Sequence, residues 1–149
     1  MGYWWIWVGS HFRVRNIHFN TSRKTQVALE YAYQRREKTG CSVFWVQAGS
    51  YTKFVRDYSE LAKAVGLTID PNTRTVLRDV RVWLEKQQNY LLVLDGADDL
   101  RLFSPGSQSN DVTQDFNLVQ FLPAGDSGTI LFTPRMRLLF IMSLALTRW

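Results

Sequence analysis

Four consecutive large apolar residues, Leu91 to Leu94, lie between Tyr90 and Asp95, and no other stretch limits the fold so narrowly. A one-sided strand alternates apolar with polar residues. A short unbroken run bounded by turn residues reads instead as a strand buried on both faces, the situation of a parallel strand covered by helices. The run stops at Asp95-Gly96-Ala97-Asp98-Asp99. A carboxylate at the C-terminal end of such a strand faces the crevice where open α/β sheets hold ligands, and its hard oxygens suit Mg²⁺ shared with substrate phosphates. The same residue equally suits the cap of a turn that closes an ordinary core strand.

The segments around this run alternate between helical and extended patterns. Residues 24–38 place Val27, Ala28, Tyr31 and Ala32 on one face, crowd Gln34, Arg35, Arg36 and Lys38 into the last turns, and stop at Gly40. Ser42 to Ala48 is β-branched and aromatic. Ser50 is the expected cap of a helix whose stripe is Phe54, Tyr58, Leu61, Ala62 and Val65, ending at Gly66. A third helix over residues 73–87 turns Val76, Val80, Trp83 and Leu84 inward. After a loop at 104–110, Phe116, Leu118, Val119, Phe121 and Leu122 form a short amphipathic piece, and Thr129 to Thr133 is a last clear strand. Near the N-terminus, residues 11–15 alternate as a modest strand would. Helices of this length between strands imply right-handed crossovers and a largely parallel sheet.

Composition excludes several classes. At 149 residues the chain has room for one domain, and an apolar fraction of 46% with 21% charged residues is that of a globular core. The lone Cys41 forbids an internal disulfide framework and, opening a strand, is expected to be a small buried hydrophobe. The net charge of +5 belongs to the ends: residues 1–29 carry four basic residues and 127–149 three, with no acid in either, whereas the middle is slightly acidic. No basic cluster or nucleic-acid motif accompanies it, so no specific nucleic-acid partner is expected. The apolar runs 3–8 and 138–146 are too short for a signal peptide or a transmembrane segment, and Ile6 stands where a myristoylation signal has Ser or Thr. A cytoplasmic location is the resulting expectation.

Lys24-Thr25 opens the first helix behind a strand-like segment. In a loop of the form G-x-x-x-x-G-K-[ST], the Lys reaches the β- and γ-phosphates, the hydroxyl ligates Mg²⁺ and the helix N-terminus supplies N–H donors. The two glycine positions are here His18 and Arg23. Side chains there obstruct the close approach of backbone to phosphate, and the triplet Arg23-Lys24-Thr25 also reads as a solvated helix start.

Taken together, Lys24 to Ala32, Val43 to Ala48, Leu91 to Asp99 and Gly128 to Arg135 resemble, in collinear order, the NB-ARC branch of the STAND P-loop NTPases, and most closely the fungal proteins that carry NB-ARC modules ahead of repeat arrays. The resemblance implies a three-layer α/β P-loop NTPase-like sheet of about four strands with helices on both faces. It implies an ADP/ATP switch with Mg²⁺ in which Lys24 meets the phosphates, Thr25 and Asp95 hold the metal, and Arg135 is the sensor-like arginine. Arg135 also reads as a surface arginine beside Pro134. Gly96 follows Asp95 where many relatives have an acid or Asn, so Asp98 or Asp99 would stand in as the second acid of a slow NTPase at most.

The resemblance covers residues 24–135, leaving an atypical N-terminal segment at 1–23, an atypical tail at 136–149, and no counterpart of the fifth strand or the ARC lid. With both loop glycines replaced, weak nucleotide binding or none is expected. Two other readings stand beside this one. The first is a non-catalytic module that pairs with itself or another NB-ARC protein through an exposed sheet edge. The second is peripheral membrane or polyanion binding through Trp4, Trp5, Trp7, Arg13 and Arg15.

Overall fold

A computed structural model describes residues 5–8, 11–14, 23–103, 117–134 and 140–142. The elements follow in the order β1 (Trp5–Val8), β2 (His11–Val14), α1 (Arg23–Thr39), β3 (Ser42–Gln47), α2 (Tyr51–Ala64), α3 (Thr73–Glu85), β4 (Tyr90–Asp95), β5 (Gly128–Thr133) and β6 (Phe140–Met142). One six-stranded sheet has the order β2-β1-β3-β4-β5-β6. Its centre is parallel: β3 pairs with β4 and β4 with β5, in a register that sets Gln47 beside Asp95 and Asp95 beside Thr133. The hairpin β1–β2 and the strand β6 join antiparallel on either side.

Two features depart from the sequence reading. The sheet has six strands where four are expected, because the aromatic run near the N-terminus supplies β1 and the apolar run of the tail supplies β6. The strand that precedes α1, β2, is an edge strand, two positions removed from β3. Strand β4 therefore pairs directly with β5, with no strand inserted between them.

Residues alternate across a strand, so the two faces of the sheet collect different partners. Val43, Trp45, Leu91, Val93 and Leu131 face α1, where Ala28 and Ala32 are buried against them with Cys41. Phe44, Val46, Leu92, Leu94 and Ile130 face the opposite layer, formed by α2 and α3 with Phe54, Tyr58, Leu61, Val76, Leu77, Val80 and Leu84. Helices thus cover both faces of a parallel centre, as an all-apolar β4 requires.

Local signals place the helix ends. Ser50 caps α2 by accepting from the Lys53 N–H at 3.3 Å, and Gly40 closes α1 at φ +64°, its N–H donating to the Arg36 carbonyl. Asn72 caps α3, which ends at Glu85, two residues before the expected boundary. Of the expected stripe on α1, Ala28 and Ala32 are buried and Tyr31 packs against them with Leu29, whereas Val27 is 53% exposed. Two alanines let the helix lie close to the sheet. Polar residues tie down both ends: Thr25 bonds Asp95, and Arg35 donates to the hydroxyls of Thr129 and Tyr31 at 3.0 and 3.1 Å. Nε of Arg35 is the buried side-chain polar atom that lacks a partner among the described residues, and nothing in the structure explains it.

Beyond β4 the chain is pinned back to both layers. Phe103 meets Phe132 edge to face at 5.7 Å, and a tight helical turn, Leu118–Phe121, buries Leu118 and Phe121 against α3. Arg81 donates to the Gln120 carbonyl, and Glu85 accepts from the Ala124 N–H. The 104–110 loop and Phe116 lie outside the described residues. No helix among the described residues is long and apolar enough to cross a membrane.

Candidate functional site

The C-terminal ends of β3, β4 and β5 form a shelf on which Gln47, Asp95 and Thr133 stand side by side. The alternation that sends Val43, Trp45, Leu91, Val93 and Leu131 toward α1 sends these three the same way. Helix α1 runs back over the sheet, so its first turn lies above the shelf. The positive end of its dipole and its leading N–H groups therefore point at the strand ends, an environment that favours anions.

Asp95 is the centre of the cluster. Oγ1 of Thr25 lies 3.2 Å from Oδ1 and 3.4 Å from Oδ2, and Oγ1 of Thr133 donates to Oδ1 at 2.5 Å. The Thr133 hydroxyl in turn accepts from the N–H of Gly96 at 3.1 Å, while the Thr133 carbonyl accepts from the same N–H at 3.0 Å. On the other side, the carbonyl of Asp95 accepts from the Ala48 N–H at 2.7 Å. Gly96 sits at φ +70°, a left-handed turn that a residue without a Cβ takes at no steric cost. Lys24 completes the group: its Nζ donates to the carbonyl of Pro134 at 2.7 Å. Consecutive residues at the start of α1 thus dock on Asp95 and on the chain leaving β5.

The structure brings together three of the residues singled out from sequence, Lys24, Thr25 and Asp95, although the strand preceding α1 is remote from them. Asp99 is turned to other work. Arg101 grips it through Nε at 2.9 Å and Nη2 at 3.0 Å, and this fork holds its carboxyl below the ordinary range. Asp98 donates its N–H to the Gly96 carbonyl at 2.7 Å, tightening the turn after Asp95. Arg135, His18, Trp4 and Arg15 lie outside the described residues, and Trp5, Trp7 and Arg13 fall within β1 and β2. Arg23 is exposed at the first position of α1.

Two residues at or beside the shelf escape the sequence reading. Thr133 is 2% exposed and inseparable from Asp95, yet only the inter-strand register reveals it. Asp57, 3% exposed in the middle of α2, accepts from the Gln47 N–H at 2.7 Å and so terminates β3 beside the shelf. Burial pushes its carboxyl up to about 7, against the Gln47 N–H and the flanking Arg56, which favour the charged form.

The donor set of the shelf fits a magnesium ion carried by phosphates. One carboxylate and a neighbouring hydroxyl supply hard oxygens, and no group of three or more His, Cys, Asp or Glu among the described residues could hold an ion as a closed cage. A cation there would take its remaining ligands from phosphate and water, the usual arrangement for Mg²⁺.

The chain is 33% identical over 117 residues to a protein of Hyaloscypha variabilis described as a nucleotide-binding leucine-rich repeat (NLR)-like protein. The match takes in 75% of this chain but only 12% of that relative, so the chain spans about an eighth of its length. No family model matches the chain. No solved structure matches it either.

Proposed function

We propose that this chain is a nucleotide-binding core of NLR type that holds ADP or ATP with Mg²⁺ weakly, as a switch and not as a metabolic enzyme. The observation that carries the reading is the meeting of Thr25 and Asp95 at 3.2 Å, under the first turn of a helix and at the ends of parallel strands. The family resemblance and the NLR-like relative support it.

In this reading Thr25 and Asp95 hold the metal, and the ammonium of Lys24, one residue earlier, exchanges the Pro134 carbonyl for phosphate oxygen. Bound Mg²⁺ would neutralise phosphate charge. The protein's own part is to position: the α1 dipole draws the anion, and the buried stripe of α1 fixes the helix on the sheet. Weakness follows from the loop before α1. His18 and Arg23 replace the glycines of a phosphate cradle, and one ammonium does not replace several convergent N–H donors. Turnover is slow at most, because Gly96 offers no side chain after Asp95 and Asp99 is held by Arg101.

Calorimetric titration with Mg²⁺·ADP and Mg²⁺·ATP tests the reading, with Lys24→Ala as control. Saturable binding with a dissociation constant of roughly 0.1–1 mM, about 4–5.5 kcal/mol, is the expected result, and the control abolishes it. A wild-type chain that is folded and gives no saturable heat at millimolar nucleotide overturns the proposal. A low-micromolar constant would overturn the weakness and leave the switch.

A further inference from the structure

Asp95 has two carboxylate oxygens, and the structure treats them differently. Oδ1 accepts the short bond from Thr133, whose hydroxyl is held from behind by the N–H of Gly96. Among the described residues, Oδ2 receives only the longer contact from Thr25, at 3.4 Å. We infer that Thr133 is a positioning residue that commits Oδ1 of Asp95 to the sheet and presents Oδ2 to a divalent cation, resting on the nucleotide reading above.

The argument is one of geometry and donor counting. A threonine hydroxyl has a single proton to donate. Its direction here is settled, because Gly96 N–H can only donate to Thr133 Oγ1, so the Thr133 proton goes to Asp95. A β-branched side chain in a strand has few χ1 choices, and at 2% exposure no water competes for the bond. The carboxylate therefore cannot rotate about χ2 without breaking a charge-assisted hydrogen bond in a part-buried site. Groups that orient a metal ligand in this way change cation affinity by roughly 10- to 100-fold when removed.

The backbone makes the test clean. The Gly96 N–H also bonds the Thr133 carbonyl at 3.0 Å, so Thr133→Val, nearly the same shape, removes the hydroxyl without orphaning that donor. The probe is Mn²⁺ in place of Mg²⁺, its binding to the chain with ADP followed by electron paramagnetic resonance, alongside ADP binding without metal. The expected result is a Mn²⁺ affinity at least tenfold weaker in Thr133→Val, metal-free ADP affinity unchanged, and recovery in Thr133→Ser, which keeps the donor. Equal Mn²⁺ affinity in wild type and Thr133→Val overturns the inference while the nucleotide reading stands. A wild-type chain that binds neither ADP nor Mn²⁺·ADP overturns both. Should Thr133→Val not fold, the hydroxyl proton of Thr133 in the wild type is followed by NMR: a shift on adding Mg²⁺·ADP supports the role, and an unmoved signal at saturation overturns it.

Discussion

The hydroxyl of Thr25 lies within 3.4 Å of both oxygens of Asp95, joining the first turn of α1 to the end of β4 across 70 residues of sequence. The contact ties the helix to the sheet. Thr25→Val keeps the shape and removes the donor, and loss of a hydrogen bond to a charged group costs about 1.5–3 kcal/mol. Urea denaturation is expected to show a lower midpoint at unchanged slope, with Thr25→Ser near wild type. An unchanged midpoint in the valine variant would mean that the contact contributes nothing to folding.

Gly128 is required by Tyr90. The two are register partners in β4 and β5, and a Cβ on Gly128 would fall 2.1–2.3 Å from three atoms of the Tyr90 ring. The ring cannot yield, since Tyr90 is itself buried in the core facing α2 and α3. Gly128→Ala is expected to destabilise by about 1–3 kcal/mol through overpacking. In a Tyr90→Ala background the same change becomes neutral or slightly favourable, and a double-mutant cycle reads the difference.

Asp57 makes stability depend on pH with an unusual sign. Its folded carboxyl is raised by burial to about 7 against an ordinary 3.8. Between these values the folded chain keeps a proton that the unfolded chain has released. The contribution is therefore fully present at the acid end, declines as pH rises through this window, and is level above it, with a slope of at most about 1.4 kcal/mol per unit. Relative to wild type, Asp57→Asn is expected to gain stability steadily from about pH 4.5 to pH 6.5 and to level off above about pH 7. Parallel pH profiles of the two proteins would refute the assignment.

Tyr58 joins α2 to the turn before β5 by donating to the Phe121 carbonyl at 3.1 Å. Burial pushes its hydroxyl far above the ordinary tyrosine range, so it remains a donor at every working pH. Tyr58→Phe removes about 1 kcal/mol and lowers the melting temperature by roughly 3 °C in a chain of this size. No shift in the melting curve would show that water satisfies Phe121 equally well.

What was legible in the sequence is what depends on neighbours along the chain. The Leu91–Leu94 run, the Phe54–Tyr58–Leu61 stripe, the Ser50 cap and the Gly40 stop are local signals, and the structure realises each of them. Val27 is misread because the fully buried residues of α1 are the alanines Ala28 and Ala32, which carry little hydrophobic signal to fix the inward edge. Leu77 was passed over for the same kind of reason: a wide apolar face on α3 does not say which edge lies deepest. Thr133 and Asp57 acquire meaning only from a partner far along the chain, one from strand register and the other from a helix passing beneath the end of β3.

The bonds that build the shelf span extreme distances along the chain: 70 residues for Thr25 to Asp95 and 110 for Lys24 to Pro134. Each requires closure of a long loop whose entropy must be overcome before the contact gives anything back, and contacts of this kind slow folding. Helices α2 and α3, joined by a short connection, can associate early. Helix α1 can settle over the strand ends only after β4 and β5 have zipped together. The shelf is thus assembled late, and an intact Asp95 cluster certifies that the rest of the domain is already in place. A chain caught short of that step would keep much of its helical content but lack the Asp95 cluster, which ties the geometry of the shelf to the kinetics of maturation.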